Sequence, residues 1–455
     1  MKKRQHLLLT ATAGVAVFAL SACGGGSAAP ESSASFSDDV AGVLEIWGFN
    51  NADDVGQSRL DYAVSQMPDV QIVADNGGFD AQKFTALAAA GSLPDAVQMD
   101  RQFVATYAAK GLIMPLDDCF TEHGVDPNAQ YYPHVVQDVT YDGSIWAVPQ
   151  FYQPAAIMLN MRLLDEAGVS KDDIDTSRPE VLLEAVEKLY ESNGSTPTTL
   201  GLDPRMPGQA AFWMLAYGGG IIDDSGMPTL DDPNNVAALE FLKELNDVQG
   251  GFAEVKSFID TFDFFGANNQ FAADQVAAQV IEQWYVNVVA GTSDQVEISA
   301  VPMRDLEGNP LAVASGTAFV IPATAQNPAA ACRWMLHLTS DEGWMAAGDL
   351  RAENIAADPN RLNTGLFTGS PSADQAIRDK HVGPTGIAGF DEAIETYYAV
   401  AADGRSYGTS PAGQEIQVEL QNAVTAALLG EKSPEEALAD AQAAALRAYE
   451  QVTAE

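Results

Sequence analysis

Basic residues are scarce in this chain. There are 23 Lys and Arg against 63 Asp and Glu among 455 residues, a formal charge of −40. Nucleic-acid binding needs clustered cations to neutralise phosphates, so this balance argues against it. Histidine is also rare: His6, His123, His134, His337 and His381 form no metal-ligating spacing. Only three cysteines occur, too few for a disulfide framework, and Cys119 and Cys332 read more readily as small buried residues than as a bridge, although a bridge stays open. Catalytic and phosphate-binding signatures are missing too. No Gly-x-Ser-x-Gly elbow, His-Glu-x-x-His site or Gly-x-x-x-x-Gly-Lys-Ser/Thr loop is present. The reading is a non-enzyme without cofactor or metal.

What is present begins with the leader. Lys2, Lys3 and Arg4 precede an uncharged, mostly apolar stretch from Leu7 to Ala22, short for a bilayer-spanning helix and suited to a signal segment. It ends in Leu20-Ser21-Ala22-Cys23, which resembles a lipoprotein signal. That resemblance implies cleavage before Cys23 and lipidation of it, hence an extracytoplasmic body held to the cell membrane. Residues 1–22 are then the signal peptide, and 23–42 a lipidated cysteine with a linker rich in Gly, Ser and Ala.

From Val43 onward, strands alternate with helices, which implies an α/β fold with a mostly parallel sheet. Val43–Trp47, Ala96–Met99, Ile145–Pro149, Ala156–Asn160, Gln275–Ile281, Val296–Pro302 and Ala318–Pro322 read as strands. Asp80, Asp232-Pro233, Asn327-Pro328 and Ser433-Pro434-Glu435-Glu436 carry helix-start chemistry. Asp142-Gly143 is a tight-turn signal.

Two acid and tyrosine groupings have bland readings. Asp223-Asp224-Ser225-Gly226 with Asp231-Asp232 is a polar turn rather than a calcium loop, since the spacing does not match an EF-hand. Tyr131-Tyr132 and Tyr397-Tyr398 suit packing better than ferric-ion binding. More informative are the aromatics beside small polar residues: Trp47 to Asn50, Phe151-Tyr152-Gln153, Phe212-Trp213 and Gln283-Trp284-Tyr285. Aromatic planes cover the apolar faces of a sugar, and amide and carboxylate groups bind its hydroxyls.

Several segments, in order, resemble the extracellular solute-binding proteins that include maltose-binding protein. They are Gly91 to Asp100, Gly111 to Asp118, Tyr141 to Pro149 with Leu159 to Leu164 and Ala167-Gly168-Val169, Phe271 to Ala277 leading to Trp284, Ser315 to Pro322, and Gly430 to Leu438. The resemblance implies a two-lobed periplasmic-binding-protein fold of type II, with a ligand cleft between lobes joined by hinge strands. One lobe would comprise 43–115 plus 303–348, the other 116–302 plus 349–455. Leu112–Leu116 and Val296–Pro302 would be the hinge strands. It implies a monomer that captures a carbohydrate, an oligosaccharide in particular, and delivers it to the permease subunits of an ABC-type importer. The alternatives are a binder of iron, a polyamine or a glycerol phosphodiester, and a secreted carbohydrate-active enzyme. Carried over position by position, the ligand contacts would be Trp47, Asn50, Asp100, Arg101, Tyr152, Gln209, Trp213, Trp284, Ser315 and Gly316. The chain departs from the family's Gly-Gly-Pro-Trp-like run, having Ile281-Glu282-Gln283-Trp284, and lacks an aromatic near Gln417. Tyr397, Tyr398 and Tyr407 are the candidates to replace it.

Overall fold

The computed structural model describes residues 36–49, 52–292, 294–313, 315–358 and 361–454. Residues 36–454 fall within one compact unit. Cys23 and Asn50 lie outside the described residues.

Two sheets organise the chain. The first has five strands in the order Val70–Asp75, Gly42–Trp47, Ala96–Asp100, Thr317–Val320 and Val148–Pro149. The first three are parallel, and Thr317–Val320 runs antiparallel to both neighbours, with Thr317 opposite Asp100. Ala96, Val97 and Met99 are all buried, as expected of a strand covered on both faces. Helices Asp54–Gln66, Pro328–Leu338 and Asp341–Ala356 pack together over this sheet's residues. The expected caps form. Asp80 accepts from the Lys83 amide at 2.6 Å, and Ser433 with Glu436 makes a full capping box.

The second sheet has three strands, Ala278–Glu282, Ala155–Asn160 and Ile298–Val301, all antiparallel. The expectation of a mostly parallel sheet therefore holds for three strands of the first sheet and not for the second. Ala155–Asn160 is buried at all six positions, because it is central and covered on both faces. Helices Pro179–Leu189, Pro233–Asp247, Gly413–Leu428 and Pro434–Thr453 contribute to the core beside it.

Four expectations need correction. Val148–Pro149, assigned by sequence to the second lobe, hydrogen-bonds into the five-stranded sheet. Cys119 and Cys332 are disulfide-bonded across 213 residues, tying the helix Asp117–Glu122 to Pro328–Leu338. The linker reading extends too far: Phe36 is buried and Asp38 pairs with Arg333 at 2.7 Å and His123 at 3.2 Å. Finally, Leu112–Leu116 and Val296–Pro302 are not the crossings. Ile113 bridges to Pro322 beside the first sheet, while Ile298–Val301 is a strand of the second.

The chain instead leaves the first sheet for the second at 150–154 and rejoins the first at 315–316. These two segments run side by side, with Gln150 N–H donating to Thr317 O at 2.9 Å and Gln153 N–H to Ser315 O at 3.0 Å. Buried Arg59 anchors the first of them. Its guanidinium donates to Gln150 Oε1 at 3.1 Å and lies 3.8 Å from the Trp344 ring centroid.

Candidate functional site

The strand Ala96–Asp100 ends where its sheet meets the crossings, and a single tight turn, Arg101–Phe103, follows it. That turn points Arg101 inward. Its Nε donates to Asp138 Oδ2 at 3.2 Å, and its Nη1 donates to the Phe151 carbonyl at 2.5 Å. Glycine at 316 makes this possible. Its φ is 149°, and an added Cβ would stand 2.0 Å from the Phe151 carbonyl oxygen and 2.6 Å from Arg101 Nη1. Any side chain there would block the passage of the guanidinium.

Around Arg101 lies a cavity of about 270 Å³. One wall carries Asp100, Arg101, Gln102 and Asp138; Gln153, Ser315 and Gly316 of the two crossings close its floor. The opposite wall carries Gln209, Glu282 and the segment Tyr407–Ser410, with Gln417 from the helix Gly413–Leu428. Gln209 Nε2 donates to Glu282 Oε1 at 3.0 Å, which fixes the carboxylate facing the cavity. Burial raises the Asp100 carboxyl above its usual range, with Arg101 pulling the other way. Burial pushes the Asp138 carboxyl up to about 6 against the opposing pull of Arg101 and Ser406.

Three carboxylates and one guanidinium leave this cavity net acidic. Its remaining polar groups are neutral amides and hydroxyls. Such a lining offers acceptors and donors to a neutral polyhydroxyl ligand and opposes an anionic one.

A smaller cavity, about 170 Å³, adjoins it and shares Gln153. It is lined by Phe151, Gln283, Trp284, Asn287 and Phe367 among others. Trp284 stacks on Phe265 with centroids 5.9 Å apart and planes 20° apart, and Phe265 is itself 74% exposed.

The structure therefore gathers Asp100, Arg101, Gln209, Ser315 and Gly316 in one cavity and puts Trp284 in the next. It separates the other nominated aromatics from both. Trp47 is 2% exposed and packs on Phe79 with Lys83 over its ring. Tyr152 is fully buried against Tyr132 and His134. Trp213 is fully buried in the second core, its indole N–H donating to Pro204 O at 3.3 Å. None of the three offers a ring face to a ligand. Sequence reasoning missed Asp138, Gln153, Glu282 and Thr409. Of the three candidates for the absent aromatic, Tyr407 lines the cavity beside Gln417, whereas Tyr397 is buried and donates to Ile281 O at 3.0 Å. A tyrosine between glycines, Gly404 to Gly408, was the available signal.

Tyr132 donates to Asp374, and Asp223 Oδ1 accepts from the Ser225 and Met227 amides, closing a turn. Among the described residues no group of His, Cys, Asp and Glu is placed to hold a metal ion, and no helix is long and apolar enough to cross a membrane.

Comparison with known proteins bears on the family and the fold. An arabinooligosaccharide-binding protein of Halalkalibacterium halodurans is 26% identical over 219 residues, 46% of this chain and 47% of that protein. A maltotriose-binding protein of Pyrococcus abyssi is 25% identical over 210 residues, 45% and 43% of the two chains. The matched stretch thus spans about half the length of these relatives. The solved structure of CpMnBP1 with mannobiose bound superposes with a TM-score of 0.70 at 20% identity, covering 89% of this chain and 99% of that one, and so shares its two-lobed fold. The model of the bacterial extracellular solute-binding protein family matches residues 63–351, more than half of the chain, and the chain belongs to that family, with the extracytoplasmic location it implies.

Proposed function

We propose that this protein is the carbohydrate receptor of an ABC-type importer, anchored to the cell membrane through lipidated Cys23 and working as a monomer. The observation that carries the reading is the polar cavity whose two walls come from different sheets. A sugar placed there hydrogen-bonds to Arg101 and Asp100 on one side and to Gln209, Glu282 and Thr409 on the other. Contacts to both walls exist only when they are close, so the ligand favours the closed arrangement. The crossings at 150–154 and 315–316 are where the lobes would turn. Closure would then present one shape to the permease, and no bond need be broken.

The neighbouring aromatic cavity supports a ligand of more than one sugar unit. Trp284 and Phe151 supply ring faces there, and Gln153 links the two cavities. The net acidity of the main cavity speaks against glycerol phosphodiesters.

The test is a titration of the protein with mannobiose, mannotriose, maltotriose and arabino-oligosaccharides, with ferric ion, spermidine and glycerophosphocholine as controls. Calorimetry should show one-to-one binding of a sugar. Heat from a control alone would overturn the carbohydrate reading.

A further inference from the structure

Asp138 ends the helix Pro133–Asp138, at the wall that carries Arg101. It is the one cavity carboxylate held from both sides. Oδ2 accepts from Arg101 Nε at 3.2 Å, and Oδ1 accepts from Ser406 Oγ at 2.5 Å. Ser406 adjoins the opposite wall, directly before Tyr407. It follows the short strand Gly404–Arg405, which pairs with Pro310–Val313 beside the second sheet. Gly404 lies flush against the helix Pro133–Asp138 and the crossing: an added Cβ would stand 2.4 Å from His134 Nε2 and 2.5 Å from Tyr152 Oη. The next residue after Ser406 is Tyr407, which lines the cavity.

We propose that Asp138 is the positioning residue of the site, tying Arg101 to the Ser406–Tyr407 segment across the cleft, and that closure on a ligand is coupled to protonation of this carboxyl. The proposal rests on the solute-binding reading above. Parting of the walls breaks the Ser406 bond and returns Asp138 to water.

The charges facing Asp138 fix the sign. Arg101 is its cation, and the Asp100 and Glu282 carboxyls line the same cavity. His134 of its own helix is pushed down to about 4 by burial and by Arg101, so it is neutral above pH 5. Tyr152 from the crossing and Tyr407 from the opposite wall are both raised by burial and stay neutral. Burial on closure therefore leaves Asp138 at about 6, against about 3.9 for an aspartate in water. A carboxyl raised in the closed state binds more protons there than in the open state. Lowering the pH then favours closure, and the effect saturates below the open-state value. Ligand affinity should rise roughly tenfold between pH 7.5 and pH 5.

The experiment is calorimetry with the tightest-binding sugar at pH 5, 6 and 7.5, at pH 6 in two buffers of different ionisation enthalpy. The expected result is tighter binding at low pH, with proton uptake on binding at pH 6, both abolished in Asp138→Asn. Ser406→Ala should weaken binding while leaving the melting temperature in place. Binding without pH or buffer dependence, or a dependence that persists in Asp138→Asn, overturns the proposal and leaves the receptor reading standing. If no sugar binds, the receptor reading fails, and small-angle scattering of the unliganded protein decides the proposal. A smaller radius of gyration at pH 5 than at pH 7.5, in wild type but not in Asp138→Asn, supports it; equal radii overturn it.

Discussion

The two adjoining cavities differ in what they can ask of a ligand. The larger is ringed by carboxylates, amides and hydroxyls around a guanidinium that donates to Asp138 and to the Phe151 and Thr317 carbonyls. The smaller sets Trp284, Phe151 and Phe367 beside Gln153. Directional hydrogen bonds punish a misplaced hydroxyl, whereas a ring face tolerates many sugars. On the proposed receptor function this is a division of labour: the polar cavity would select which sugar unit binds, and the aromatic cavity would add affinity for the units attached to it.

Substitutions can break this division. The largest effect is expected for Arg101→Ala, which leaves Asp138 buried without its cation. Removing one partner of a buried pair costs about 3–5 kcal/mol, so thermal unfolding should fall by several degrees and sugar binding should disappear from calorimetry. Gly316→Ala comes next. The added methyl has no room beside Phe151 and Arg101, and a non-glycine residue at this φ carries strain of about 1–3 kcal/mol. Its melting temperature and affinity should both fall.

Trp284→Ala sharpens the comparison. Stacking is worth about 0.5–1.5 kcal/mol beyond area burial, so a disaccharide or trisaccharide should bind roughly tenfold more weakly. A monosaccharide should be almost unaffected, because the polar cavity holds it alone. Equal losses for all lengths would put the first sugar unit under Trp284 instead. The smallest effect is expected for Lys110→Ala. Lys110 pairs with Glu415 at 3.3 Å, both groups being about one-third exposed, and such pairs contribute at most about 1 kcal/mol. Any change in affinity should vanish at high salt.

How much of this was legible depends on the range of the interaction. Ala155–Asn160 was readable because a strand covered on both faces is apolar without alternation. Helix starts at Asp80, Asp232 and Ser433 were readable because capping is local. Pairings across the chain were not. Cys119 finds Cys332 and Asp138 finds Ser406 over more than 200 residues, and nothing within a short window encodes either contact. The six tryptophans make the same point. Trp213 and Trp284 both sit beside another aromatic in sequence, yet one is sealed in a core and the other borders a cavity. The neighbours that decide this come from elsewhere in the chain. Half of the nominated contacts, Asp100, Arg101, Gln209, Ser315 and Gly316, meet in the larger cavity; all but Gln209, which precedes the helix Ala210–Ala216, stand at strand ends or crossings, where ligands of such sheets sit.

The central claim is that one ligand engages both walls at once. Hydrogen exchange, with and without the tightest-binding sugar at saturation, tests it most directly. The Arg101–Ala105 and Tyr407–Gly413 amides should gain protection together, along with Gln153. Protection confined to one wall, or to the surroundings of Trp284 alone, would contradict it.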